Sequence, residues 1–398
     1  MLISIIIIAI FSGLYMAWNI GSNDVANSMS TAVGAKAISL KQALIIASVL
    51  NFLGAVLVGK HVTDTVKGKI VDISSMPQHN IMIGFLAALL SASIFVTFST
   101  WKELPVSTTH AVVGGVAGFG IIQGGIQAIR WDTITKVVTS WILSPLAGAL
   151  LAFLMFGIIR IFIFAKKEPV KYASKLSPFF VALTIFIILI SIFTKTRAGE
   201  IIGYELREYV LISILIAFVA GIISYFFAKK FVDKSYETVE RMFRRLQIIT
   251  SCYVAFSHGA NDVANAVAPV AVVIAMAWKE VDAIYLLAFG GIGIALGILT
   301  WGYKVIRTVG GRITDLTNTR GFSVDFAAAT VVLLASKLGM PISTTHVVVG
   351  AVVGVGLARG LAAIDLNVIK RIIFSWLLTL PATIITSILI YIGLTIIF

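Results

Sequence analysis

Long apolar runs, nearly free of charge, recur along the whole of this chain and leave few folds open to it. Runs that match or approach the length of a bilayer crossing fall at 1–20, 40–59, 81–99, 137–164, 178–194, 209–228, 247–275, 283–300 and 371–397, with shorter runs at 111–126, 325–336 and 345–360. A helix needs about 20 residues to cross ~30 Å of hydrocarbon, so the shorter runs read as broken or re-entrant elements. Lipid offers the backbone no hydrogen bonds, which restricts spanning segments to helices or a closed barrel. The period-two alternation of barrel strands is absent, and the expected fold is an all-α integral membrane protein with about 10–12 membrane elements. Composition agrees: 59% of the 398 residues are apolar and 12% are charged. A soluble domain has about twice that share of charge, and so little polar surface cannot cover a core in water.

The net charge of +13 would suggest a nucleic-acid partner in a soluble chain. Here Lys and Arg collect between the apolar runs, as cytoplasmic loops of membrane proteins do. Cys252 is the only cysteine, which excludes an intrachain disulfide and a cysteine-based metal site. The stretch from Met1 to Asn19 lacks a basic leader and runs straight into a polar motif. It reads as a retained span and not as a cleaved signal.

The chain then repeats itself. GSNDVANS at 21–28 returns as GANDVANA at 259–266, and PVSTTHAVVGG at 105–115 returns as PISTTHVVVGA at 341–351. Between them Gly68-Lys69-Ile70-Val71-Asp72 matches Gly311-Arg312-Ile313-Thr314-Asp315; after them Ser140-Trp141 matches Ser375-Trp376, and Pro145 matches Pro381. Ordered matches at nearly constant spacing indicate a duplicated chain. Its first repeat covers 1–165, two connecting spans and a basic connector cover 166–246, and its second repeat covers 247–398. Loop charge sets the orientation. Lys166, Lys167, Lys171 and Lys175 place one loop in the cytoplasm, and Lys229, Lys230, Lys234, Arg241, Arg244 and Arg245 place another there. The loop at 195–208 mixes Lys195, Arg197 and Arg207 with Glu200, Glu205 and Glu208 and suits the outside. A first repeat with an odd number of crossings then makes the two repeats inverted, the plan of many secondary transporters. Lys60, Lys67 and Lys69 would lie outside in that scheme, against the charge rule.

Two sets of polar residues sit inside this apolar frame. Asp24 and Asp262 hold equivalent places in the repeats, and a carboxylate at mid-membrane costs at least ~2.5–3.5 kcal/mol, so it marks an ion site or a proton relay. Asn23 and Asn27 accompany Asp24, and Asn261 and Asn265 accompany Asp262, at spacings that share a helix face. Carboxylate and amide oxygens are hard ligands suited to Na⁺, whereas an aspartate alone could carry a proton. Asn and Asp can also bond across helix interfaces as structural groups. The second set follows Pro105 and Pro341, which interrupt the preceding runs. Ser107, Thr108 and Thr109, with Ser343, Thr344 and Thr345, are N-cap types for helices starting near His110 and His346. Helix N-termini attract anions through unpaired amide hydrogens and the helix dipole, and the hydroxyls add donors suited to a tetrahedral oxyanion.

The glycines that follow, among them Gly114, Gly118, Gly350 and Gly354, are expected to allow close helix packing. His110 and His346 have no partners at metal-ligand spacing and are expected to hold the loop by hydrogen bonds. Asn51 and Gln42, on an early helix, could join a further cation site, but structural hydrogen bonds are the stronger expectation. Neither motif contains Lys or Arg, the usual partners of an oxyanion. A bound anion would rest beside two carboxylates, and bound cations would neutralise both, so each ligand would favour the other.

With both motifs in place, the chain resembles the inorganic phosphate transporter (PiT) family, whose hallmark is a duplicated GANDVANA-type signature. The resemblance implies a sodium- or proton-coupled phosphate symporter with inverted repeats, working as a homodimer, with phosphate held between two re-entrant hairpins. It assigns phosphate to Ser107, Thr108, Thr109, Ser343, Thr344 and Thr345, and sodium, the co-transported ion, to Asn23, Asp24, Asn27, Asn261, Asp262 and Asn265. No cofactor, nucleic acid or enzymatic activity is expected. The leading function is Na⁺-coupled phosphate symport across the cytoplasmic membrane by alternating access. The alternative is H⁺-coupled transport of metal phosphate or sulfate on the same fold. A phosphotransferase would need an activated nucleophile or an acid–base pair in one constellation, and a passive anion channel would need no paired aspartates.

Overall fold

The structure, a computed structural model, describes residues 2–58, 70–195, 202–228, 235–278, 281–337 and 342–398. Lys60, Lys67, Gly68, Lys69, Arg197, Glu200, Lys229, Lys230, Lys234 and Pro341, and the side chains of Lys195 and Lys337, lie outside the described residues. Among the described residues the regular structure is all helical apart from one isolated antiparallel bridge, Val71 to Ile129. In chain order the helices are α1 (Leu2–Asp24), α2 (Ala26–Gly34), α3 (Leu40–Val58), α4 (Gln78–Trp101), α5 (Thr108–Gly124), α6 (Trp131–Ile159), α7 (Pro169–Lys195), α8 (Leu206–Ala228), α9 (Tyr236–Ala277), α10 (Ala283–Trp301), α11 (Asn318–Lys337), α12 (Thr344–Arg359) and α13 (Leu366–Ile397).

Nine segments among the described residues are long and apolar enough to cross a membrane, with α1 and α2 counted as one. Val25, between α1 and α2, keeps helical angles (φ −56°, ψ −26°), so the two form a single span from Leu2 to Gly34. Helices α5, α11 and α12 fall outside the nine, being shorter or more polar. Several helices exceed the apolar runs in the sequence. Helix α9 begins at Tyr236, eleven residues before the run at 247, because Ser235 caps its first turn through the Thr238 amide and Glu237 pairs with Arg241 at 3.5 Å. Its polar opening is helical by propensity and capping where hydropathy is silent. Helix α11 likewise begins at Asn318, ahead of the run at 325.

The packing is reciprocal. Helix α1 lies on α10 as α9 lies on α3; α5 lies on α13 as α12 lies on α6. Within each half the pairs α1–α4 and α4–α5 have counterparts in α9–α11 and α11–α12. Helices α7 and α8 pair with each other and lean on the bundle mainly through α9. The close approach of α12 to α6 needs glycine: a Cβ on Gly350 would collide with the backbone of Pro145, and one on Gly354 with that of Ala149. Gly157, on the same α6, has open space around it. Overpacking of this kind costs about 1–3 kcal/mol. Gly350→Leu should therefore lower the melting temperature of the purified protein, while Gly157→Leu should leave it within error; equal melting of both variants would contradict the packing.

Candidate functional site

Each duplicated motif ends on a helix whose start is set by its own serine. After α4 the chain turns at Glu103, which adopts a left-handed φ of 60°, runs without helix through Pro105, and reaches Ser107, which is itself extended and caps α5 by accepting from the His110 amide at 3.3 Å. Ser343 caps α12 through the His346 amide, also at 3.3 Å. Both helices begin at the first threonine, two residues before the histidines that the sequence suggested. The rings of His110 and His346 meet edge to face at 5.1 Å between centroids, and His346 stacks on Trp376 at 3.7 Å. Both ring nitrogens of His346 are buried without a partner. The expected hydrogen bonding is therefore not what holds His346; ring stacking does. Trp376 also donates to the Pro105 carbonyl at 3.0 Å, tying α13 to the loop that leads into α5.

The asparagines reach across between the halves. Asn27 donates to Thr345 Oγ1 at 3.0 Å, and Asn265 donates to Thr109 Oγ1 at 3.0 Å. Thr345 in turn donates to the Val106 carbonyl at 3.2 Å. Thr108 donates to Asp24 Oδ2 at 2.6 Å, joining the hydroxyl set to the carboxylate set. Asn23 has another task. Its amide donates to Thr100 Oγ1 at 2.9 Å and to the Leu104 carbonyl at 3.0 Å, and its oxygen accepts from the Val106 amide at 3.0 Å. All three bonds clamp the turn between α4 and α5. Asn261 and Thr344 line a small cavity of about 20 Å³ beside His258.

Asp24 and Asp262 converge on His258, a residue absent from the motif-based set. The imidazole Nε2 lies 2.8 Å from Asp262 Oδ2 and 3.7 Å from Asp24 Oδ2, and its Nδ1 lies 2.6 Å from Asn51 Oδ1. Asn51 thus has the structural bond expected of it, and Gln42 has one too, accepting from Ser39 at the start of α3. Ligand atoms of Asp24, His258 and Asp262 all lie within 4.8 Å of one another, close enough to share one cation. Asp24 Oδ1 is buried and unpartnered. A third buried carboxylate, Asp325 on α11, accepts from Thr31 at 2.7 Å, Ser251 at 2.6 Å and Thr250 at 3.3 Å. Sequence reading passed over it because it opens an apolar run, although a lone carboxylate there was the available signal. Among the described residues, no Lys or Arg side chain bonds to any of these groups. The arrangement offers hard oxygens for cations beside hydroxyls and helix N-termini for an anion.

The clamp on the α4–α5 turn can be tested alone. Asn23→Ala removes three buried bonds, and each buried group left unpaired costs about 1–3 kcal/mol. Amide exchange of peptides covering 102–107 should rise in this variant while that of α13 stays unchanged; unaltered exchange at 102–107 would show that Asn23 does not hold the turn.

Comparison with known proteins bears on this geometry. A model of the "Phosphate transporter family" matches residues 20–387. A Pyrococcus furiosus protein provisionally named a phosphate permease is 50% identical over 386 residues, spanning 95% of this chain and 93% of its own length. The chloroplastic inorganic phosphate transporter 2-1 of Arabidopsis thaliana is 37% identical over 413 residues, spanning 93% of this chain and 68% of its own. A solved structure of a protein described as the sodium-dependent phosphate transporter superimposes with a TM-score of 0.88 at 47% identity, covering 99% of this chain and 100% of that one.

Proposed function

This chain belongs to the phosphate transporter family, and on that premise we propose that it is a Na⁺-coupled symporter of inorganic phosphate in the cytoplasmic membrane, working by alternating access. It is a multi-pass membrane transporter and not an enzyme. The observation that carries the proposal is the crosswise pairing of Asn27 with Thr345 and of Asn265 with Thr109, next to two buried aspartates. Neither half holds a complete site.

Phosphate would lie between the capped starts of α5 and α12, within reach of Ser107, Thr108, Thr109, Ser343, Thr344 and Thr345. In the bonds described above Thr109 only accepts, which leaves its hydroxyl hydrogen to donate to an oxyanion. Sodium would take the oxygens of Asp24 and Asp262, with Asn27 and Asn265 at their side and Asn261 facing the adjoining cavity. Asn23 contributes by fixing the turn before α5. Asp325 with Thr31, Thr250 and Ser251 offers the same class of ligand to a further cation. With no Lys or Arg bonded to these groups among the described residues, bound cations would offset the carboxylates and the anion, so the binding of each raises the affinity for the other. Likeness to a transporter described as sodium-dependent favours sodium over protons as the driving ion.

The repeats at 1–165 and 247–398, joined through 166–246, supply the moving parts. The reciprocal packing of α1 on α10 and α9 on α3 supports an inverted repeat, with α4–α5 and α11–α12 as re-entrant hairpins. Rocking of one set against the other would expose the shared site to each side in turn. Assembly as a homodimer is carried over from the family resemblance.

Uptake into proteoliposomes under imposed gradients tests the proposal. An inward Na⁺ gradient should drive accumulation of phosphate but not of sulfate. Accumulation driven only by a proton gradient would replace this reading with the proton-coupled alternative. Asp24→Asn and Asp262→Asn should each abolish coupled uptake while the protein still inserts and purifies normally; undiminished uptake in either would remove that carboxylate from the mechanism.

A further inference from the structure

Away from the central site, a cluster of positive charge lies at the far end of α12. A cavity of about 430 Å³ is lined by Phe156 and Arg160 of the α6 end, Glu240 of α9, Thr319 and Arg320 of α11, and Arg359 of α12. Three guanidinium groups from separate helices surround one space. Glu240 brings one negative charge to the same space, but its oxygens are taken by Thr319: it accepts from the Thr319 amide at 2.9 Å and from its hydroxyl at 2.8 Å. Among the described residues, the one carboxylate at ion-pair distance from any of the three arginines is that of Asp315. It stands 4.0 Å from Arg359, and its side chain is 89% exposed.

Neutral acceptors hold the arginines in place. Arg160 donates to the Ala358 carbonyl at 2.7 Å, Arg320 to the Asp315 carbonyl at 3.1 Å, and Arg359 to the same carbonyl and to Thr314 Oγ1, both at 3.3 Å. The Arg320 guanidinium also lies over the Phe156 ring, 5.7 Å from its centroid, and its Nε is buried without a partner. A buried charged donor left unpaired is costly. The tendency of basic residues to gather on the cytoplasmic side accounts for scattered arginines facing water. It does not account for three that face one cavity, with a buried donor still unpaired. Guanidinium forks match oxyanions in both charge and geometry.

We propose that this cavity is a second anion site, distinct from the central one, for a phosphate-type dianion supplied either as free phosphate or as the monoester headgroup of a lipid. The bound anion joins the start of α11 and the end of α12 to α6. Because α12 carries Thr344 and Thr345 at its other end, an anion here restrains the element that presents the central hydroxyls.

The test uses the full chain in nanodiscs, with Thr108→Ala and Thr345→Ala in every sample, so that failure of the transport reading does not alter the outcome. In neutral phosphatidylcholine, radiolabelled phosphate should still bind this parent and weaken by at least ~10-fold on Arg320→Gln or Arg359→Gln, since each removes a charge-assisted donor. Arg320→Lys, which keeps the charge, should lose less and guards against a folding artefact. In nanodiscs containing phosphatidic acid, native mass spectrometry should show a lipid adduct that the Gln variants lose if the headgroup is the ligand. Either pattern supports the site. A parent that binds neither phosphate nor lipid, or Gln variants that bind as the parent does, overturns it.

Discussion

Placing Asp24 and Asp262 within reach of one imidazole, inside a chain that lipid surrounds, sets a cost that the surrounding architecture has to offset. A carboxylate at that depth costs at least ~2.5–3.5 kcal/mol if left alone. Thr108 bonds one of them, His258 lies between the two, and Asn265 stands 3.4 Å from the other. His258 is oriented in turn by Asn51, which requires α3 and α9 to cross almost in backbone contact. Gly259 makes that possible, because a Cβ there would collide with the Asn51 backbone. The crossing of two spanning helices and the chemistry of the site therefore depend on the same few atoms.

The hydroxyl half of the site has a different logic. Ser107 and Ser343 fix where α5 and α12 begin, so the threonines after them open each helix beside its unpaired amides. Each half then lends an asparagine to the threonine of the other. A displacement of one half against the other must break these crosswise bonds together. Under the alternating access proposed above, these bonds would couple occupancy of the site to the relative position of the halves. The aromatic packing of His346 on Trp376, and the bond from Trp376 to Pro105, tie the start of α12 to the turn before α5 through α13.

What was legible in the sequence is what the chain writes twice. Both aspartates, the four asparagines and the six hydroxyl residues stand out because each occurs at matching places, and the all-helical membrane fold follows from the apolar runs. His258 and Asp325 escaped because they are not repeated. The residue matching His258 in the first motif is Ile20, and the residue as far before Ser107 as Asp325 is before Ser343 is Leu89. Duplication therefore draws attention to shared chemistry and away from chemistry that only one half has acquired. The opening of α9 was illegible for another reason: its helix is set by capping and charge pairing, which a hydropathy pattern cannot register. Asn23 shows the opposite limit, since its motif position suggests a ligand and says nothing of the two backbone bonds and the Thr100 bond by which it also clamps the turn before α5.

The central claim is that one site, built from both halves, binds phosphate and cation in mutual dependence. Equilibrium binding of phosphate to the purified protein, measured across a series of Na⁺ concentrations at constant ionic strength, tests it most directly. The account predicts that the phosphate Kd falls steadily as Na⁺ replaces K⁺, and that this dependence disappears in Asp262→Asn. A phosphate affinity indifferent to Na⁺ in the unmodified protein would contradict it.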